Sequence, residues 1–209
     1  MSRAVVKIGG AVAGALPPLP DGAVVVHGAG PQISAEMTRR GLEVQFIGGK
    51  RVTDEAALAV VAESLAEVNA SICAALPNAI GLLGVIEAVR VPGLGLVGRP
   101  LEIVPPEVLE ALEAGKTPVV APLARQGLNV NADDVAAALA VALDATRLVF
   151  VTDVPGLLVE DEVVGSIGAD EAETLLPSLE GGIVPKLLAA IQAVRGGVPA
   201  HIGETAVLP

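Results

Sequence analysis

The chain has 209 residues, 52% of them hydrophobic, with two Phe, no Trp, no Tyr and a formal net charge of −11. That length gives one generous domain or two small ones, with a full aliphatic core and no need of covalent staples. The near absence of aromatic rings removes base-stacking platforms, and the negative charge argues against nucleic acid or an anionic membrane as partner.

In chain order, Ala4 to Ile8 and Ala23 to His27 read as buried strands, each running into a Gly-rich turn. Between them lies a thin, Pro-rich crossover, expected as loop or one short helical turn. Pro31 to Arg40 reads as a helix with Pro in its first turn. Glu43 to Ile47, the Gly48-Gly49 pair and Lys50 to Val52 read as a hairpin. Thr53 is expected to cap a long helix through about Leu76, with Leu58, Val61, Leu65, Val68 and Ile72 on one apolar stripe. That stripe suits either the domain's own sheet or a twin helix in a dimer. Further strands are expected at Ala79 to Leu83, Glu87 to Val91, Leu101 to Val104 and Pro118 to Ala121. Pro105 to Ala114 is a helix stopped by Gly115, Asn131 to Leu143 an Ala-rich helix, and Arg147 to Thr152 a buried strand. Helices at Ala169 to Leu176 and Ile183 to Arg195 and strands at Pro199 to Ile202 and Thr205 to Leu208 close the chain. Strands alternating with helices throughout give an α/β sheet covered on both faces.

Cys73, the single cysteine, reads as a small core residue on a helix. The N-terminus reads as a strand rather than a secretion signal, and the apolar runs are broken by Gly and Pro, so no membrane span and a cytoplasmic protein are expected.

Four segments carry chemistry. VVKIGG (Val5 to Gly10) and VVVHGAGPQ (Val24 to Gln32) place Gly9, Gly10, Gly28 and Gly30 directly after strands, where backbone N–H groups can meet a phosphate. Neither turn is a nucleotide P-loop or a dinucleotide fingerprint. Lys7 and Lys186 sit at element junctions beside Gly or Pro, as strand-end lysines reaching to water or as point charges for phosphate oxygens. In LNVNADD, Asn131 caps a helix and Asp133 suits its first turn, whereas Asn129 has no such structural reason. Arg51 offers a fork for a carboxylate, or is solvated. His27 reads as a packed, hydrogen-bonded imidazole, and with His201 the only other histidine a His-based metal site is not expected. The DVPG run, Asp153 to Gly156, is a β-turn signature at a strand's carboxyl end, where open α/β sheets hold ligands.

Taken together, VVKIGG, VVHGAGPQ, GKRVTD, LNVNADD, VTDVPGLL and GGIVPK resemble the amino-acid kinase family, in that family's order and over nearly the whole chain. Within it they are most similar to the acetylglutamate kinases. The resemblance implies a three-layer αβα sandwich with an open, mainly parallel sheet, as a single domain over 1–209. An N-terminal lobe, about 1–124, would hold the amino acid and the dimer contact, and a C-terminal lobe, about 125–209, the ATP. The implied reaction moves the γ-phosphoryl of ATP to the side-chain carboxylate of N-acetyl-L-glutamate, in arginine biosynthesis. Lys7 and Lys186 would hold the transferring group, Asp133 would fix their geometry, and Gly10 and Gly30 would donate N–H groups. Ala29, Gly30, Arg51 and Asn129 would bind the acceptor. Asp153, Val154, Pro155, Gly156, Leu157 and Leu158, with Leu179, Glu180, Gly181 and Gly182, would line the ATP side. Magnesium would ride on the nucleotide, with no metal site of the protein's own, and the protein would be a homodimer. The acceptor carboxylate is ionised at neutral pH, so no general base is required.

Several departures from the family pattern stand out. Ala29 replaces a glycine of the usual HGGGP turn, a residue that resists positive φ, so a slightly remodelled turn is expected. The segment after the first strand is short, GLLGVIEA lacks the usual Asp-Gly, and HIGETAVLP ends where relatives continue. A trimmed enzyme with an opened ATP pocket and no arginine feedback is expected. Two other functions compete. One is a kinase of α-aminoadipate or glutamate on an acidic carrier protein, which would need a basic patch from Lys50, Arg51, Arg39, Arg40 and Arg99. The other is a catalytically idle relative that binds ligand and regulates.

Overall fold

The computed structural model describes residues 3–10, 18–160 and 162–209. β-Branched runs form β1 (Ala4–Ile8) and β2 (Val24–His27), and α1 (Gly30–Arg39) follows. The crossover between the two strands falls mainly on residues outside that description. A hairpin of β3 (Phe46–Ile47) and β4 (Lys50–Arg51) turns on Gly48 and Gly49, at φ +55° and +74°, values that suit glycine. Then come α2 (Glu55–Ala75), β5 (Ala79–Leu82), β6 (Ala88–Arg90), β7 (Val97–Pro100), α3 (Pro106–Glu113) and β8 (Thr117–Val120). The second half runs β9 (Asn129–Val130), α4 (Ala132–Ala142), β10 (Arg147–Val151), β11 (Leu158–Val159), β12 (Glu162–Val163) and β13 (Ser166–Gly168). It closes with α5 (Ala169–Leu175), α6 (Ile183–Arg195), β14 (Ala200–Ile202) and β15 (Thr205–Leu208).

Eight strands form the central sheet in the order β13-β15-β14-β10-β1-β2-β8-β5. Every neighbouring pair is parallel except β14 with β15. Alternation along β1 sends Val6 and Ile8 beneath α1 and α2, with Val25 and Val119. Val5 faces the opposite layer with Val24, Val26, Leu148 and Phe150, covered by α3 to α6. The result is the expected αβα sandwich. Lys7 shares the face of Val5, beneath α4, at the carboxyl end of the strand.

Four expectations are corrected or settled here. Asp54, not Thr53, caps α2, its Oδ1 accepting from Ala57 N at 2.7 Å. The strand expected at Leu101 to Val104 lies instead at Val97–Pro100, because the Pro92 to Gly95 turn sets its register against β6. The α2 stripe packs on its own sheet: Val61, Leu65, Val68 and Ile72 are buried there, with Leu58 half-buried, so it is not free for a twin helix. By length and composition alone α2 is long and apolar enough to cross a membrane, but this packing makes it a core helix.

Candidate active site

The carboxyl ends of β1, β2 and β10 open into a cavity of about 430 Å³. Its lining contains Lys7, Gly10, Gly28, Ala29, Gly30, Arg51, Asn129, Asp133, Asp153 and Lys186, residues from every segment singled out in the sequence. A second cavity of about 670 Å³ adjoins it and shares Thr152, Asp153, Gly182 and Lys186. That second cavity takes in Val154, Gly156, Leu157, Leu158, Leu179 and Glu180, whereas Pro155 and Gly181 do not line it. Lys186 therefore stands where the two spaces meet.

Lys7 is 5% exposed and its Nζ lies 2.7 Å from Asp133 Oδ1. Asp133 is placed by the cap of α4: Asn131 Oδ1 accepts from Asp133 N at 2.7 Å and from Asp134 N at 3.1 Å. Lys186 Nζ donates to Gly182 O at 3.0 Å, one turn back on α6. Burial pulls its ammonium below the ordinary lysine range; the charge of Asp133 opposes that shift, and the charge of Lys7 adds to it. Lys186 thus feels both members of the Lys7–Asp133 pair. The N-termini of α1 and α6 both lack a side-chain cap and both face the first cavity, through Gly30 and Gly182. Such ends suit an anion.

Ala29 takes φ −142°, a negative value open to an alanine. The turn's departure from glycine therefore needs no left-handed residue at that position. Gln32 Nε2 donates to Gly10 O at 2.9 Å and ties the two glycine turns together.

Arg51 is buried, with its guanidinium held by Ser34 Oγ at 2.9 Å, Gly30 O at 3.2 Å and the Phe46 ring at 4.7 Å. Among the described residues no carboxylate lies within ion-pair distance of it, and burial lowers its pKa. Asn129 Nδ2 donates to Thr53 Oγ1 at 3.0 Å. Lys50, which the sequence reading gave no role in the site, also lines the cavity and pairs with Asp134. Its signal was its rarity: three of the chain's four lysines line this cavity.

The electrostatics are the reverse of the chain's. Lys7, Lys50, Arg51 and Lys186 face the first cavity against Asp133 and Asp153, a positive balance in a chain of net charge −11. No group of three or more His, Cys, Asp or Glu able to hold a metal occurs among the described residues. His27 is fully buried, its Nε2 3.1 Å from Asn69 Nδ2, which also donates to Val119 O at 2.9 Å. Burial lowers its pKa to about 4, so it is a neutral, packed imidazole as expected.

The model of the amino acid kinase family matches residues 2–204. A protein of Rubrobacter xylanophilus named acetylglutamate kinase is 45% identical over 225 aligned positions, covering 97% of this chain and 88% of its own. Its namesake from Frankia casuarinae is 44% identical over 205, covering 86% of this chain but 57% of its own. The chain thus spans about three fifths of the length of some relatives it matches. A crystal structure from Streptococcus mutans superposes with a TM-score of 0.90 at 27% identity, over 99% of this chain and 98% of the other. Carbamate kinase from Giardia lamblia bound to AMP-PNP shares the fold, with a TM-score of 0.69 at 17% identity over 99% and 98% of the two chains.

Proposed function

The chain belongs to the amino acid kinase family, and from that premise we propose that it transfers the γ-phosphoryl group of ATP to the side-chain carboxylate of N-acetyl-L-glutamate. One observation carries this reading: two adjoining cavities, the first faced by Lys7, Lys50 and Arg51 and the second lined by Val154, Leu157, Leu158, Leu179 and Ile183, meet at Lys186. In this assignment the first cavity takes the acceptor and the second takes adenosine. Magnesium enters with the triphosphate. The N-terminal lobe, about 1–124, supplies most of the acceptor cavity, and the C-terminal lobe, about 125–209, the nucleotide cavity.

The chemistry follows from alignment and charge. A carboxylate oxygen of the acceptor attacks the γ-phosphorus, the bond from that phosphorus to the β–γ bridging oxygen breaks, and ADP leaves with the electron pair. The nucleophile is already an anion, so no proton must be removed. Lys7 and Lys186 neutralise the equatorial oxygens, and the turns at Gly10 and Gly30 add N–H donors. Asp133 holds the Lys7 ammonium in place.

The nature of the acceptor follows from what the cavity's carboxylates already do. Of the two carboxylates that line the first cavity, Asp133 is engaged by Lys7, and Asp153 stands on the border shared with the second cavity, on the side assigned to the nucleotide. Among the described residues Arg51 has no carboxylate partner, and its fork is assigned to the acceptor's carboxylate. An amino diacid whose nitrogen is acylated, and so uncharged, meets both conditions. A carrier-bound acceptor fits less well, because Lys50 is paired with Asp134, Arg39 with Glu36, and Arg40 with Glu36 and Glu63. An idle relative would have no use for an intact Lys7–Asp133–Lys186 set.

We further propose that the protein acts in arginine biosynthesis, in the cytoplasm, as a homodimer. The free edge of β5 and the exposed outer face of α2, with Ala59, Ala66, Ala70 and Ala74, are the surface we assign to pairing; light scattering tests it. Purified protein with MgATP and hydroxylamine tests the activity. A hydroxamate from N-acetylglutamate, and not from glutamate, is the expected result. A hydroxamate only from carrier-bound aminoadipate would transfer the assignment to the carrier-dependent reaction, and none from either would favour the idle reading.

A further inference from the structure

Thr53 is fully buried beside the acceptor cavity without lining it, yet its side chain touches two residues that do. Its Oγ1 donates to Arg51 O at 2.8 Å and accepts from Asn129 Nδ2 at 3.0 Å. Its backbone is fixed as well. Thr53 N donates to Leu94 O at 3.0 Å, and Leu96 N donates to Thr53 O at 2.6 Å. Gly95 between them sits at φ +79°, and a Cβ there would come within 2.2 Å of Thr53 O. Asn129 N in turn donates to Leu96 O at 2.9 Å. Thr53 is thus locked at the junction of β4, the Leu94–Leu96 loop and β9.

A hydroxyl has one proton. Here it is committed to the buried Arg51 carbonyl, so toward Asn129 the oxygen can only accept. The amide must therefore turn its NH₂ group to Thr53. If it turned the other way, two oxygens would face each other with no proton between them. Asn129 lines the cavity, and its one side-chain hydrogen bond among the described residues is that from Nδ2 to Thr53.

We propose that Thr53 is a positioning residue that sets the polarity of Asn129, presenting its Oδ1 to the cavity as the acceptor for the amide N–H of an N-acylated substrate. Arg51, tied to the same hydroxyl through its carbonyl, then meets the carboxylate at a fixed spacing. The ligand half of this assignment rests on the N-acyl acceptor reading above; the orientation of Asn129 does not.

The test uses two acceptors, N-acetyl-L-glutamate and the O-acetyl ester of 2-hydroxyglutarate, in which oxygen replaces the N–H. Wild-type protein and Thr53→Ser should favour the amide by about tenfold or more in kcat/KM, the worth of one hydrogen bond with its penalty when unmade. Thr53→Val keeps the shape and loses the hydroxyl, and the preference should fall to near unity with KM for ATP unchanged. Thr53→Ala, with room for a water at the Arg51 carbonyl, replaces it if the valine protein does not fold. Independently of turnover, the Asn129 side-chain NH₂ should be protected from hydrogen exchange in wild type and Thr53→Ser and unprotected in Thr53→Val. An undiminished amide preference, or undiminished protection, in a folded Thr53→Val or Thr53→Ala protein would overturn the proposal. Protection that depends on the hydroxyl in a protein inactive on both acceptors would uphold the positioning of Asn129 and reject the acceptor assignment.

Discussion

The Nζ of Lys7 lies 2.7 Å from Asp133 Oδ1, with both side chains almost wholly removed from water. The two meet on one face of the sheet at its carboxyl edge: Lys7 comes from the last position of β1 on that face, Asp133 from the first turn of α4 packed over it. A pair so buried is held at a desolvation cost, and either partner alone is worse than both or neither.

Asp133→Ala should therefore destabilise the protein by about 3–5 kcal/mol, since it strands a buried ammonium. The double variant Lys7→Met with Asp133→Leu should recover much of that loss and none of the activity. Urea denaturation alongside the hydroxamate assay separates the two effects. Equal stability of single and double variants would show that the pair does not act as a unit.

Lys186 gives a pH dependence of known sign. Burial holds its ammonium below the ordinary lysine value, and the role proposed for it requires the charge. Turnover should fall as pH rises through that lowered value, while stability gains because the neutral amine is cheaper to bury. Lys186→Arg should move the alkaline limb of kcat to higher pH. A pH–rate profile identical for the two proteins would remove Lys186 from the transition state.

Arg51 lines the first cavity and not its neighbour. Arg51→Lys keeps the charge but loses the fork and the Ser34 and Phe46 contacts. KM for N-acetylglutamate should rise about tenfold to a hundredfold, as for loss of a charge-assisted hydrogen bond worth about 1.5–3 kcal/mol. KM for ATP should stay within about twofold. Steady-state kinetics with each substrate varied in turn decides it.

His27 contributes to the loss of stability in acid. Its pKa is about 4 in the fold against 6.5 for the free group, so the unfolded chain binds a proton in that window that the folded chain refuses. Stability should decline as pH drops from about 6.5 to about 4, by about 3 kcal/mol from this residue. Thermal unfolding of His27→Gln across the same range should show a correspondingly shallower slope.

Much of this arrangement was legible in the sequence because it obeys local periodicity. Lys7 stands at the second inward position of an otherwise apolar five-residue strand, which fixes its face. Asn131 caps α4 as its residue type dictates, and that cap puts Asp133 over Lys7. Helix α6 begins at Ile183, as expected from its apolar repeat, and so places Lys186. What escaped was set by tertiary contact. Thr53 and Asp54 are both good capping residues, and only the demand of Asn129 and the Arg51 carbonyl for the threonine hydroxyl leaves the cap to Asp54. Strands β9, β11 and β12 have two residues each, too short for any period to show. The Lys50–Asp134 pair joins residues 84 positions apart, which no local pattern announces.

The central claim is spatial: the transferring phosphoryl group passes between Lys7 and Lys186, at the mouth shared by the two cavities. A crystal grown with MgADP, tetrafluoroaluminate and N-acetylglutamate tests it most directly. The account predicts the planar fluoroaluminate in contact with both ammonium groups, with the acceptor carboxylate in line on the Arg51 side and ADP in the cavity lined by Leu158 and Leu179. A fluoroaluminate bound away from either lysine, or an acceptor and a nucleotide that do not meet at Lys186, would contradict it.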